Sequence, residues 1–268
     1  MKKVLQITNA IAFISTVFIN YLSNTGKMNG TTIGEVSGGL KTLFTPAGYA
    51  FSIWGLIYFL VFGFVIYQGR SLFVKVRNND FVLKVGWWFV VSCLANCCWI
   101  ICWIYGYTGL SCICIIILLL SLLKIVFNNK MELWDAPISV IVFLWWPFVI
   151  YSGWVTVASI ANIAAYLVKI NWDGFGVAPL QWAVVMIVVA VIVNLIATWT
   201  RNMREFSLVG AWALIAIGIA NKGVEGVEGT LVYVAYFAAA VLLLSSFLHA
   251  FKNRKTAPFI KLKEYLSK

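Results

Sequence analysis

The sequence predicts an all-α polytopic membrane protein with about eight transmembrane helices. Of its 268 residues, 62% are hydrophobic and only 11% are charged, whereas a globular protein carries about 25% charged residues. The apolar residues form continuous runs and do not alternate with polar ones, which argues against a transmembrane β-barrel. The net charge of +11 comes mainly from basic residues between or beside these runs, so it does not indicate a nucleic-acid partner.

Eight apolar runs are separated by polar segments, and most reach the roughly 20 residues needed to cross a bilayer. The predicted helices cover about residues 4–22, 45–68, 81–103, 110–127, 137–168, 179–199, 206–220 and 230–251. The seventh helix, with about 15 residues, is the shortest. The first run has no small-x-small cleavage site after it, so we interpret it as a helix and not as a signal peptide.

The distribution of basic residues supports an even number of helices. With eight helices, 16 of the 20 Lys and Arg residues fall on one side of the membrane and 4 on the other. The positive-inside rule then places both termini in the cytoplasm. We therefore expect an integral protein of a bacterial cytoplasmic membrane, with residues 252–268 as a basic cytoplasmic tail.

Three predicted helices carry aromatic and polar side chains along one face. At about 100° per residue, one face of the fifth helix carries Pro147, Tyr151, Trp154, Ala158 and Asn162. The corresponding faces of the second and third helices carry Phe51, Trp54, Tyr58 and Phe62, and Trp88, Ser92, Asn96, Trp99 and Trp103, respectively. Because an amide in hydrocarbon needs a hydrogen-bond partner, the face with Asn162 should point into protein. These faces predict a cavity with aromatic walls.

The segment from Ser23 to Phe44 connects the first two helices. It is polar and contains five glycines, so we expect a flexible loop there. The dipeptide Thr45-Pro46 follows it and opens the second helix.

Catalytic and ion-coupling groups are missing from the predicted helices. All nine Asp and Glu residues lie in loops or in the tail, whereas ion-coupled transporters bury such groups near the membrane midplane. The single histidine, His249, ends the eighth helix, where an interfacial position is expected. The cysteine cluster C-x3-C-C-x3-C over 93–102 has no His, Asp or Glu within its helix, so packing is favoured over a metal or redox role. We expect no enzymatic activity, no cofactor and no bound metal.

Three segments resemble the motifs of one membrane-protein family. The second helix reads F-T-P-A-G-Y-A-F-S-I-W-G-L-I-Y, the third C-L-A-N-C-C-W, and the fifth Y-S-G-W-V-T-V-A-S-I-A-N-I-A. In order and spacing these are similar to the motifs of the tryptophan-rich sensory protein family (TspO/MBR), also called translocator or peripheral benzodiazepine receptor proteins. The similarity covers residues 45–162, and a C-terminal extension follows.

The resemblance implies a fold, a ligand class and a set of site residues. Residues 1–168 would form the family's five-helix transmembrane bundle, with three additional helices over 169–251. The family's pocket binds porphyrins, sterols and synthetic aromatic molecules, which implies a hydrophobic or aromatic small molecule such as a porphyrin as a partner, beside membrane lipid. A homodimer is an open alternative to a monomer. The implied ligand-binding residues are Trp54, Tyr58, Asn96, Trp99, Tyr151, Trp154, Ala158 and Asn162.

Two functions stay open at this point. The first is a receptor or carrier for a flat, largely apolar molecule such as a tetrapyrrole. The second is a facilitative transporter of a small solute, and an enzyme is the weakest alternative. For Trp54, Trp99 and Trp154, pocket lining is favoured over helix packing because they lie well inside their helices. For Asn96 and Asn162, an interhelical hydrogen bond is favoured over ligand contact.

Overall fold

The computed structural model describes residues 1–76, 79–253 and 258–267, without the side chains of residues 258, 259 and 264. Within these ranges the chain is all-α and contains no strand, which confirms the predicted fold class. Arg77, which the charge count assigns to a cytoplasmic loop, and residues 254–257 and 268 of the predicted basic tail lie outside the described residues.

The helices are numbered in chain order. They are α1 (Lys2–Ser23), α2 (Ile33–Gly39), α3 (Ile53–Gly69), α4 (Phe81–Val85), α5 (Trp88–Ile104), α6 (Thr108–Asn128), α7 (Ile138–Val140), α8 (Trp146–Lys169), α9 (Pro179–Arg201), α10 (Arg204–Ala220), α11 (Glu228–Lys252) and α12 (Pro258–Leu266). A 3-10 turn over Gly48–Ser52 precedes α3, and a π-helical segment over Ile141–Trp145 joins α7 to α8.

Within the described ranges, six helical segments are long and apolar enough to cross a membrane, and the chain is therefore an integral membrane protein. They are Lys2–Ser23, Gly48–Leu72, Thr108–Asn128, Ile138–Lys169, Pro179–Arg201 and Glu228–Lys252. The helices α5 and α10 have 17 residues each. At 1.5 Å per residue this is about 26 Å, against a hydrocarbon core of about 30 Å. Length and composition thus support six spans, and the total of eight stays a prediction.

Two predicted helices are interrupted. The third, predicted over 81–103, is split because Gly86 adopts a positive φ of 54° and ends α4; a glycine takes this conformation without steric cost. The fifth, predicted over 137–168, contains the π-helical segment that ends just before Trp146-Pro147. Proline has no N–H to complete the regular helical ladder, so the backbone upstream of Pro147 shifts to a wider turn.

The helices pack as two halves that meet where α8 contacts α10. In the N-terminal half, α1 packs on α3 and α5, α5 on α6, and α6 on α8. In the C-terminal half, α10 packs on α9, α11 and α8. Glycines permit the close contacts of α10: a Cβ at Gly153 would lie 3.1 Å from the carbonyl oxygen of Phe206, and one at Gly210 would overlap the Asn194 amide. Small residues at helix interfaces are what allows close packing in lipid.

The glycine-rich segment before α3 is ordered in part, which corrects the prediction of a flexible loop. The Thr32 hydroxyl accepts from the backbone N–H of Glu35 at 3.2 Å, and the Glu35 carboxylate accepts from the backbone N–H of Thr32 at 2.8 Å. The hydrogen bond from the Thr32 backbone, followed by those from the side chains of Thr32 and Thr31, lowers the pKa of the Glu35 carboxyl. The pair is a capping box, and its sequence pattern T-x-x-E marks the start of α2.

Residues 32–47, which we call the roof, are fastened to both halves of the bundle. The Trp103 indole of α5 donates to the carbonyl oxygen of Ile33 at 3.3 Å. At the other end of the roof, the backbone N–H of Ala47 donates to the carbonyl oxygen of Ala216 in α10 at 3.0 Å. The Asn221 amide donates to the carbonyl oxygen of Leu43, also at 3.0 Å. The roof therefore covers the bundle between α5 and α10.

Ionisable side chains are buried at the other end of α10, which sequence reasoning did not foresee. Glu132 lies in a loop as predicted but is only 9% exposed, and Arg204, the first residue of α10, is 7% exposed. The loop folds against the junction of α9 and α10, where the Asn202 amide donates to the carbonyl oxygen of Glu132 at 2.9 Å. His249, expected at the membrane interface, is 2% exposed and bonds to Asn202.

Candidate ligand cavity

Trp54 of α3 is the centre of an aromatic cluster that joins three helices. Its ring stacks on Tyr58 and on Trp99 of α5, with centroids 5.5 and 6.0 Å apart. It meets Tyr151 and Trp154 of α8 edge-on, at 5.6 and 6.5 Å. Such offset and edge-to-face pairs are favourable ring geometries. The aromatic faces predicted on the second, third and fifth helices thus meet one another.

The polar members of the cluster are joined by hydrogen bonds between helices. The Asn96 amide donates to the Tyr151 hydroxyl at 2.8 Å and accepts from Asn20 of α1 at 2.9 Å. The Trp99 indole donates to Asn162 at 2.8 Å. Asn96 and Asn162 therefore make the interhelical hydrogen bonds favoured for them in the sequence analysis.

Two neighbouring cavities, which share lining residues, lie between this cluster and the roof. The outer cavity has a volume of about 800 Å³ and lies between the end of α1, the roof and α3. The inner cavity has a volume of about 40 Å³ and lies below it, between the roof, α5 and α8. The residues that line both cavities are Ile33, Ser37, Thr45, Pro46, Phe51 and Trp54. Trp54 and Phe51 thus form the boundary between the two spaces.

The eight residues implied by the resemblance fall into three groups. Tyr58 lines the outer cavity, and Trp54 lines both. The inner cavity is also lined by Trp99, Trp154, Ala158 and Asn162. Asn96 and Tyr151 belong to the same cluster but line neither cavity; they are buried beneath the aromatic wall. The structure brings all eight residues together, while their contact with a ligand stays a prediction.

Sequence reasoning missed several lining residues. The helical spacing places Phe51 and Trp103 on the same faces as Trp54 and Trp99, but the residues implied by the resemblance did not include them. The roof residues Ile33 and Ser37 line both cavities, but they come from a segment interpreted as a flexible loop. The only signal for their order was the T-x-x-E capping pattern.

The cavities are mainly apolar, although the outer one is also lined by polar side chains, among them Asn20, Asn24 and Thr32. Trp154 is 1% exposed, and its indole N–H has no hydrogen-bond partner in the described part of the chain. A buried donor without a partner costs about 1–3 kcal/mol, so a ligand that offers an acceptor to this N–H would remove that cost. Lys41 of the roof is the one charged side chain among the described lining residues. An occupant would therefore meet aromatic walls, a buried donor and a positive charge.

Comparison with known proteins agrees with this geometry. The sequence profile of the family described as TSPO-like protein matches residues 6–248 and thus includes α9, α10 and most of α11. No curated protein and no solved structure matches the chain significantly. The chain therefore belongs to the TSPO-like protein family, which indicates a membrane receptor or carrier for small hydrophobic ligands.

Proposed function

We propose that this protein is a receptor or carrier for a flat, largely apolar molecule of the tetrapyrrole class, held in the outer cavity. The observation that carries the proposal is the aromatic wall of Phe51, Trp54 and Tyr58 beside a space of about 800 Å³. Ligand pockets of about 300–1,000 Å³ with mainly apolar and aromatic linings hold drug-sized molecules. A planar ring system would lie against this wall, because stacking buries its faces.

The size of the two cavities determines where the ligand body lies. The inner cavity, at about 40 Å³, is too small for a macrocycle, so only an edge or a substituent can enter it. A substituent with a hydrogen-bond acceptor would satisfy the Trp154 indole there. At the roof, Lys41 would pair with an acidic substituent. These two polar contacts favour a ligand that is apolar in its body and carries acceptors at its periphery.

The lining residues favour binding without chemical conversion. No His, Cys, Asp or Glu lines either cavity in the described part of the chain. The cavities thus lack the usual pairs of general acid and base, and we propose that the protein is not an enzyme. The transporter alternative differs in one observable, which is flux of the ligand across a membrane.

Quenching of tryptophan fluorescence by protoporphyrin tests the proposal on the purified full-length protein. We expect saturable quenching, and a dissociation constant raised by about tenfold in Trp54→Ala, since the variant loses the stacking surface. Trp88→Ala is the matched control, because Trp88 is exposed on α5 and lines neither cavity. Non-saturable quenching, or equal affinity in Trp54→Ala and wild type, would overturn the proposal. Saturable flux into liposomes with the same sensitivity to Trp54→Ala would identify a transporter.

A further inference from the structure

A third cavity lies at the opposite end of α10 from the roof. It has a volume of about 160 Å³ and is bordered by the loop before α7, the π-helical segment, and the ends of α9 to α11. We call it the polar cavity. The polar side chains that line it are Glu132, Asp135, Trp145, Asn202, Arg204 and Asn253. Neither the proposed receptor function nor the aromatic cluster uses any of these residues.

Two buried donors at the polar cavity have no acceptor. Trp145 is 3% exposed and Arg204 is 7% exposed. The indole N–H of Trp145 and the Nε–H of Arg204 make no hydrogen bond within the described ranges. Arg204 also forms no ion pair with Glu132 or Glu205 there. Unpaired buried donors, one of them charged, are costly, so the cavity is suited to an occupant with acceptor atoms.

The backbone around the polar cavity favours the same type of occupant. Arg204 begins α10, and the preceding residue, Met203, provides no side-chain hydrogen bond to the helix end. The free N–H groups and the dipole at a helix N-terminus attract anions. Trp145 is the last residue of the π-helical segment, and π-bulges are frequent at functional sites. Glu205 lies in the first turn of α10, and its Oε2, like Oε1 of Glu132, is buried without a partner in the described residues. The two donors therefore line one cavity beside a helix start whose acidic residue does not satisfy them.

The charges around Glu132 decide the sign of the occupant. The groups near it are Asp135 on its own loop, Arg204 and Glu205 on α10, His249 on α11, and Lys261 on α12. Lys261 neutralises Asp135 at 2.8 Å. Burial, together with the charge of Glu205, raises the pKa of Glu132 to about 9, so Glu132 is protonated at neutral pH. Glu205 does not line the cavity and forms no ion pair with Arg204 within the described ranges, so Arg204 is the lining charge there without an ion-pair partner.

We propose that the polar cavity binds a small carboxylate anion, held by Arg204 and Trp145. The planar carboxylate matches the donor geometry of a guanidinium, and such charge-assisted hydrogen bonds are the strong ones. Protonated Glu132 adds a third donor. When Glu132 loses its proton, its charge repels the anion, so binding weakens as the pH rises through about 9. This site is independent of the aromatic cavity and stands whether or not that cavity binds a tetrapyrrole.

Acetate is the probe for this site, titrated into the full-length protein in detergent at constant sodium concentration with chloride as the replaced ion. We expect saturable thermal stabilisation and a saturable change in tryptophan fluorescence. Arg204→Gln should raise the acetate dissociation constant by about tenfold or more, as expected for the loss of a charge-assisted hydrogen bond. Trp145→Phe should weaken binding while it keeps the ring packing. Lys124→Gln is the control, since Lys124 is exposed on α6 and does not line the cavity.

Glu132→Gln tests the role of the proton. Glutamine keeps a neutral donor at every pH, so this variant should lose the decline in acetate binding that wild type shows near pH 9. The proposal is overturned if wild type shows no saturable acetate effect, or if chloride protects equally. If Arg204→Gln does not fold, Trp145→Phe is the test variant. The proposal is also overturned if Trp145→Phe binds acetate like wild type.

Discussion

The indole N–H of Trp99 donates to the side-chain oxygen of Asn162 at 2.8 Å, across α5 and α8. The amide nitrogen of Asn162 donates in turn to the hydroxyl of Ser111 in α6 at 2.9 Å. One side chain thus joins three helices next to the inner cavity. Although Asn162 lines that cavity, both of its polar atoms already have protein partners.

Asn162→Leu should therefore destabilise the fold more than it weakens ligand binding. The change leaves the Trp99 N–H without its acceptor, at a cost of about 1–3 kcal/mol. Thermal unfolding in detergent measures the loss, with Asn128→Leu at the exposed end of α6 as the control. An unchanged melting temperature combined with lost protoporphyrin binding would show that Asn162 contacts the ligand and does not stabilise the fold.

Ala158→Phe should weaken protoporphyrin binding, because Ala158 is a small residue in the wall of the inner cavity. A phenyl ring would fill the space that a ligand edge would occupy. If the position is instead ordinary helix packing, the same change overpacks the bundle and costs about 1–3 kcal/mol. Melting temperature and affinity, measured side by side, separate the two outcomes. Val189→Phe, exposed on α9, controls for the added ring.

Trp154→Phe should preserve stability and reduce affinity. The variant keeps the aromatic contact with Trp54 and removes an N–H that has no partner in the described residues. A lost hydrogen bond of about 0.5–1.5 kcal/mol corresponds to an affinity reduced by roughly two- to tenfold. Trp99→Phe, which loses its bond to Asn162, should lower the melting temperature instead. Equal affinity in Trp154→Phe and wild type would remove this contact from the proposal.

Gly210→Ala tests how closely α10 packs on α9. A methyl group at this position overlaps the amide of Asn194, and overpacking costs about 1–3 kcal/mol. Gly229→Ala is the matched control, since a Cβ there meets no atom within 4 Å. We expect a lower melting temperature for the first variant alone. Equal melting temperatures of the Gly210→Ala and Gly229→Ala variants would mean that α9 and α10 make room for the methyl group without a loss of stability.

Topology can be tested with reporters that distinguish the two sides of a membrane. The split of basic residues predicts both termini in the cytoplasm, and the ion pair between Lys2 and Asp80 places α1 and the loop before α4 at one end. A reporter fused after Lys222 should lie outside, and one fused after Lys268 inside. Reporters on the same side would contradict the eight-helix arrangement.

The sequence predicts the helical elements better than the cavities. Apolar runs determine the helices, so each predicted run contains helix in the described residues, with breaks where Gly86 and Pro147 disturb the backbone, while the count of eight spans stays a prediction. The aromatic faces are local properties of three helices, which explains why Trp54, Trp99 and Trp154 could be found before the structure. The division at residue 168 and the homodimer stay predictions.

What the sequence could not predict depends on contacts between distant segments. The order of the roof depends on hydrogen bonds from Trp103 and Asn221, which lie far from it in the chain. The burial of Glu132 depends on Asn202, 70 residues later. Neither set of contacts follows from a periodic pattern of residues, so the spacing along the sequence could not have predicted it.

The attachment of the roof to α10 has a consequence for shortened versions of this protein. Ending the chain at residue 168 would leave the five helices of the predicted bundle. The cut would also remove Ala216 and Asn221, which bond to Ala47 and Leu43. Of the three hydrogen bonds that fasten the roof in the described part of the chain, it would keep the one from Trp103 of α5, and the aromatic wall would open to its surroundings. The C-terminal helices thus hold the roof in place, and the smallest chain in which the roof still covers the outer cavity must include α10.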